Sequence, residues 1–167
     1  IEVVRSGGTH SPPAGNVAGF LTLGAGFVAP FLLFAGILIE LKPFPANGWG
    51  LDAYQAADPA VAAMLSAVNA TAVILLLEKL LPLFPGALIT LLAWVGVLTF
   101  FASNLIGLRQ QDARRMLGYS SVAQVGLVAA AIALVALESY SRTTLIVLSG
   151  GLLVNHLLAK AGLFWIA

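Results

Sequence analysis

The chain contains no cysteine and very little charge. The missing cysteines exclude disulfides, thiolate metal sites and cysteine nucleophiles, so any redox centre associated with this protein belongs to its partners. Charged residues make up 9% of the 167 positions, whereas a soluble domain carries roughly 25%. The basic residues are scattered and the net charge is only +1, which argues against nucleic-acid binding, since that needs a clustered basic face. What the chain has in abundance is apolar surface, with 60% hydrophobic residues and a mean hydropathy of +0.99. At about 20 residues per crossing, there is room for about five membrane helices. The fold class expected is all-α, a polytopic transmembrane helix bundle, and the location an integral membrane position within the lipid bilayer.

Apolar runs separated by short polar or Pro/Gly-rich breaks place the spans at 17–41, 58–79, 86–108, 117–137 and 143–166. No fixed-period repeat or low-complexity linker divides them, so 1–167 reads as a single membrane domain. The chain opens on Ile1 and closes on Ala167 inside an apolar run, and it is expected to be a fragment of a longer subunit. Residues 1–16 form a polar loop without the basic region and small-residue cleavage site of a signal peptide. Lys42, Arg109, Arg114 and Arg115 fall on one side of the predicted spans, and Arg5, Lys79 and Arg142 on the other. The dense 109–115 loop favours the cytoplasm for the first group. Arg114 and Arg115 are read as topology and headgroup anchors, Trp49, Trp94 and Trp165 as interfacial or packing aromatics, and Glu78, Lys79 and Glu138 as solvated helix ends.

Within this apolar text a few ionisable side chains stand out. His156 and Lys160 lie one helical turn apart on one face of the last span. Charge inside a membrane is costly and its presence points to function. Burial disfavours the charged forms of both residues, and charging one disfavours charging the other, so the pair can load a proton and push it onward. Lys160 suits storage and His156 relay. The blander readings are a Lys160 that snorkels to an interface and a His156 that only hydrogen-bonds a neighbouring helix. The first span ends in ELKPFPANGW, residues 40–49, whose prolines and glycine stop a helix. Either Glu40 and Lys42 sit at the membrane surface, or the helix is broken at membrane depth and resumes near 50–57. Breaks at depth need cover from protein or water and occur along ion pathways. Asp52 is read as a helix cap in that break or a functional carboxylate. Gly150, Gly151 and the small residues around 123–131 are read as sites of close helix contact.

Three segments, in order, resemble a known family. QQDARRMLGYSSVAQVG, residues 110–126, is similar to the "Q-x-D-x-K/R-R-x-L-A/G-Y-S-S-x-x-Q-x-G" signature of the proton-conducting antiporter-like membrane subunits. That family includes the large membrane subunits of respiratory complex I, membrane-bound hydrogenases and multi-subunit cation/proton antiporters. NHLLAKAGLF, residues 155–164, resembles its "H-x-x-x-K-A-x-L-F", and PANGWGLDAY followed by PAV at 59–61 resembles its "P-x-x-x-W-x-x-D-A-x" and "P-x-V".

The resemblance implies that the five spans form a central block of a longer subunit, from a broken seventh helix to the eleventh, moving protons along mid-membrane Lys, His and Glu residues. His156 and Lys160 match the family's late-helix proton-path positions. The seventh-helix lysine, expected nine residues before the tryptophan, is here Glu40; Lys42 follows two residues later, about 200° around a helix. These two could exchange roles, form a local ion pair or signal altered coupling. The bridging Lys or His of the next helix is also replaced, by a stretch holding Ser66, Asn69, Ala70 and Thr71, of which Asn69 or Thr71 can orient water but hold no proton. The implied function is proton translocation by an antiporter-like subunit of an NADH:quinone oxidoreductase-type or hydrogenase-type complex, with no bond chemistry in this chain. No cofactor or metal is expected in the chain itself; quinone, NADH or iron–sulfur centres would lie in partner subunits. The partners expected are other membrane subunits, in a bacterial or archaeal inner membrane. The alternatives are a non-conducting structural subunit and an energy-coupling subunit for ion or inorganic-carbon uptake.

Overall fold

The computed structural model describes residues 28–138 and 141–167. Six helices follow in order: α1 (Val28–Glu40), α2 (Gly48–Ala56), α3 (Pro59–Leu83), α4 (Gly86–Gly107), α5 (Ala113–Leu137) and α6 (Arg142–Ile166). The last four are long and apolar enough to cross a membrane, and α1 is a shorter apolar helix. The first half of the 17–41 span, the 1–16 loop with Arg5, and Ser139 lie outside the described residues. Large apolar side chains such as Trp94, Leu98, Leu105, Val147 and Trp165 face outward, as lipid or further protein requires. Trp94 and Trp165 thus remain outward-facing aromatics.

Helix ends follow local chemistry. Pro59 starts α3 just after Asp58. Asp112 caps α5, its carboxylate accepting from Arg115 N at 2.7 Å, and Ser141 caps α6 by accepting from Thr144 N at 3.2 Å. The Asp112 cap moves the start of α5 four residues ahead of the predicted 117, so Arg114 and Arg115 belong to a helix and not to a loop. They do more than anchor a surface. Arg115 donates to Asp52 Oδ1 at 2.9 Å and Gln55 Oε1 at 2.8 Å, and Arg114 donates to the Ala57 carbonyl at 3.1 Å, tying α2 onto α5. Asp52 is therefore an ion-pair partner in mid-helix and not a cap, a position held by Asn47.

The closest packing is between α4 and α5. A Cβ on Gly96 would fall 2.6 Å from the Gly126 carbonyl oxygen, and one on Gly126 would fall 2.9 Å from the Gly96 oxygen, so only glycine admits this approach. Gly150 and Gly151 behave differently from the expectation. A Cβ on either meets nothing within 4 Å among the described residues.

The segment between α1 and α2 is held from the side by α4: Phe44 N donates to Thr99 Oγ1 at 3.1 Å, and Asn47 Nδ2 to Ser103 Oγ at 3.5 Å. Thr99 lies eight residues before the end of α4, about 12 Å along the axis at 1.5 Å per residue. The irregular segment thus meets α4 about two turns in from that helix's end. The end of the bundle that carries α2 also carries the α4–α5 turn, while Lys79 and Arg142 line a common cavity at the opposite end.

Candidate functional site

Proline dictates the end of α1. Leu41 N bonds to the Ile37 carbonyl and Lys42 N to the Ile39 carbonyl, each at 3.0 Å, and Pro43 has no N–H to continue. Lys42 takes φ 57°, the left-handed capping conformation that glycine commonly supplies at helix C-termini. Its side chain consequently folds back over the helix it follows. Nζ donates to the Glu40 carbonyl oxygen at 3.0 Å, stands 3.6 Å from Glu40 Oε1 and lies 4.8 Å from the centre of the Trp49 ring. The ammonium there offsets the negative end of the helix dipole, and Trp49 acts as its aromatic cover and not simply as an interfacial anchor. Gly50 makes the fold-back possible, since a Cβ there would sit 2.5 Å from Lys42 Cδ. The 200° separation expected on a continuous helix does not apply, because the helix ends between the two residues.

Glu40 reaches the next helix. Asn69 Nδ2 donates to Glu40 Oε1 at 2.5 Å, so Asn69 contacts the carboxylate directly. Thr71 stays apart: its hydroxyl is committed to the Ala67 carbonyl of its own helix at 2.7 Å.

Asn69 ends a five-residue π-helical turn, Leu65–Asn69, set within α3. Such turns open the regular ladder and are common at functional sites. Ala70 N bonds to the Ala67 carbonyl, so the ordinary α-helical partner of the Ser66 carbonyl is engaged elsewhere. That carbonyl lies 3.0 Å from His156 Nε2. His156 is 1% exposed, and its other ring nitrogen, Nδ1, lies 3.0 Å from Gln124 Oε1 on α5. The Ser66 and Ser121 hydroxyls bond each other at 2.7 Å beside it.

One turn further, Lys160 is buried and does not snorkel; its Nζ donates to Ser120 Oγ at 2.7 Å. Among the described residues no carboxylate lies within ion-pair distance of it. His156 and Lys160 lie ten and six residues from the end of α6, so both occupy the interior of a 25-residue helix. A cavity of about 230 Å³, lined by Ser103, Asn104, Gly107, Met116 and Ser120 among others, reaches the Lys160 partner from the α4–α5 end.

The structure therefore gathers two groups. Glu40, Lys42 and Asn69 form one at the end of α1, and His156 and Lys160 form the other on α6. The π turn of α3 touches both, through Asn69 on one side and Ser66 on the other. Sequence reasoning missed Gln124, Ser120 and Ser66 as partners. The first two stand in the 110–126 motif, four residues apart and so on one face of a helix, a signal that was available.

Comparison with known proteins adds four findings. The family model described as NADH:quinone oxidoreductase/Mrp antiporter, TM, matches residues 18–167. NADH-quinone oxidoreductase subunit N of Geotalea uraniireducens (strain Rf4) is 37% identical over 135 residues, covering 76% of this chain and 29% of that protein. NAD(P)H-quinone oxidoreductase subunit 5, chloroplastic, of Lemna minor is 34% identical over 106 residues, covering 62% of this chain and 14% of that protein. A solved structure, the membrane-bound sulfane sulfur reductase, an archaeal respiratory membrane complex, aligns with a TM-score of 0.71 and 29% identity over 88% of this chain and 31% of its own. The chain spans less than a third of each of these relatives.

Proposed function

The chain belongs to the NADH:quinone oxidoreductase/Mrp antiporter membrane family, and on that premise we propose that it carries protons across a membrane as part of a multi-subunit respiratory or antiporter complex. The carrying observation is the buried His156–Lys160 pair, held mid-helix by neutral partners from α3 and α5. A lysine with no carboxylate within ion-pair distance among the described residues is a group that can release and recover a proton. Ser120, which accepts from Lys160 and borders the cavity at the α4–α5 end, offers the route of exchange with that surface.

The Glu40–Lys42 pair is the second proton site in this reading. α1 and α2 are the two halves of a helix broken at membrane depth, as the position of Thr99 supports, and Asn69 connects that break to the π turn. The driving partners are other membrane subunits, with quinone, NADH or iron–sulfur centres in partner subunits where the drive is redox chemistry. The host membrane is a bacterial or archaeal plasma membrane. A second reading, a membrane subunit that only spaces its neighbours, draws on Asn69 standing where the family resemblance leads one to expect a protonatable bridge.

The test is Lys160→Ala in the full-length protein within its native membrane. Proton movement is expected to fall by about tenfold or more, which corresponds to ~1.4 kcal/mol on the barrier, while the complex still assembles. Unchanged proton movement in an assembled complex removes Lys160 from the path and favours the spacer reading.

A further inference from the structure

We propose that His156 keeps one proton permanently on Nε2 and exchanges protons only through Nδ1, with Gln124 as the positioning residue that serves both charge states of the ring. The inference deepens the proton-carrying reading and rests on it for the meaning of the exchanged proton; the hydrogen-bond assignment stands independently. Nε2 faces the Ser66 carbonyl at 3.0 Å, and a backbone carbonyl can only accept. In a site that is 1% exposed, a bare Nε2 would set two lone pairs against each other with no water to separate them, a cost that buried polar groups avoid. Nε2 therefore donates whether the ring is neutral or charged.

Nδ1 faces a different kind of group. The Gln124 amide holds an acceptor and a donor that exchange places by a half-turn about its last bond. When the ring is charged, Nδ1 donates to the amide oxygen across the 3.0 Å contact. When the ring is neutral, the amide turns and its NH₂ donates to Nδ1. Gln124 is half-buried and so less confined than the ring it serves. An imidazole that relays a proton straight through receives it on one nitrogen and releases it from the other. Here the Nε2 side meets a backbone carbonyl, which cannot take up a proton and pass it on, so His156 stores a proton and returns it on the Gln124 side.

The titratable groups around the ring are Lys160, one turn along α6, Glu40 with Lys42, which meet the far end of the π turn through Asn69, and the buried Tyr54 of α2, whose phenol reaches Ser121 and through it the Ser66 hydroxyl. From α3 and α5 the ring itself meets Ser66 and Gln124, neither of them titratable.

The test is nitrogen-15 NMR of histidine-labelled full-length protein in lipid bilayers, with the His156 signals identified by their loss in His156→Gln. The neutral ring is expected to carry its proton on Nε2, and the second proton to appear on Nδ1 as the pH falls. A neutral ring protonated on Nδ1 overturns the proposal. Gln124→Glu keeps the size and, when ionised, only accepts, so the ring should hold both protons over a range of pH wider by about one unit. In Gln124→Met the proton should stay on Nε2 while the titration loses its dependence on that side chain. A titration unmoved in both variants overturns the role of Gln124. These readings do not depend on transport: Nε2 protonation together with unchanged proton movement in Lys160→Ala sinks only the transport reading, and Nδ1 protonation together with lost proton movement sinks only this one.

Discussion

The end of α1 and the interior of α6 both bury a lysine, and they do so in opposite ways. Lys42 is surrounded by compensation: a carboxylate at 3.6 Å, a helix-terminal carbonyl at 3.0 Å and an aromatic face. Lys160 has a serine hydroxyl and, among the described residues, no acidic partner. A compensated charge is stable and resists change, whereas an uncompensated one is poised to give up its proton. The difference teaches that, in the proposed proton path, the α6 lysine would exchange its proton more readily, while at the α1 end the two paired charges respond to each other.

Several substitutions would break or sharpen that contrast. The largest effect on stability is expected from Gly50→Ala, because its methyl would collide with the Lys42 stem and force the capping lysine out. A loss of about 1–3 kcal/mol, the usual cost of overpacking, should appear as earlier thermal unfolding in detergent, with the His156 NMR signals unchanged. Lys42→Met removes the ammonium from the Glu40 carbonyl and from Trp49 while keeping the volume. Thermal unfolding should register about 1–2 kcal/mol, in line with a charged hydrogen bond. Glu40→Gln keeps the bond from Asn69 but breaks the ion pair. Since the Glu40 side chain is 40% exposed, the loss should stay below about 1 kcal/mol and shrink further in high salt. Lys160→Met should show the opposite behaviour: by removing a buried charge that has no counter-ion among the described residues, it should leave thermal stability unchanged or slightly raised. A destabilised Lys160→Met would mean that Lys160 has a compensating partner and that the contrast is false.

Much of the helical framework was readable in the chain. The expected spans 58–79 and 86–108 correspond to Pro59–Leu83 and Gly86–Gly107, because hydropathy and Pro/Gly breaks act over a few neighbouring residues. Where the expectation slipped, a longer-range or side-chain interaction decided: Asp112 drew Arg114 and Arg115 into α5, and Asp52 found Arg115 rather than a helix end. At the site, His156 and Lys160 were identifiable as ionisable groups in an apolar helix. Of their partners, Ser120 and Gln124 left a trace in the spacing of the 110–126 motif while the Ser66 carbonyl left none, and Thr71, equal to Asn69 on sequence grounds, turned out to spend its hydroxyl on its own helix.

The sequence by itself determined that this is a membrane bundle, where its helices run, and which few side chains can carry charge within it, since each of these follows from composition or spacing along a short stretch. Only the tertiary structure decided which charge is compensated and which is not. The Ser66 carbonyl meets His156 across 90 positions of chain, and Asn69 meets Glu40 across 29. Whether a buried group is held or free to titrate depends on such distant partners, and packing supplies them.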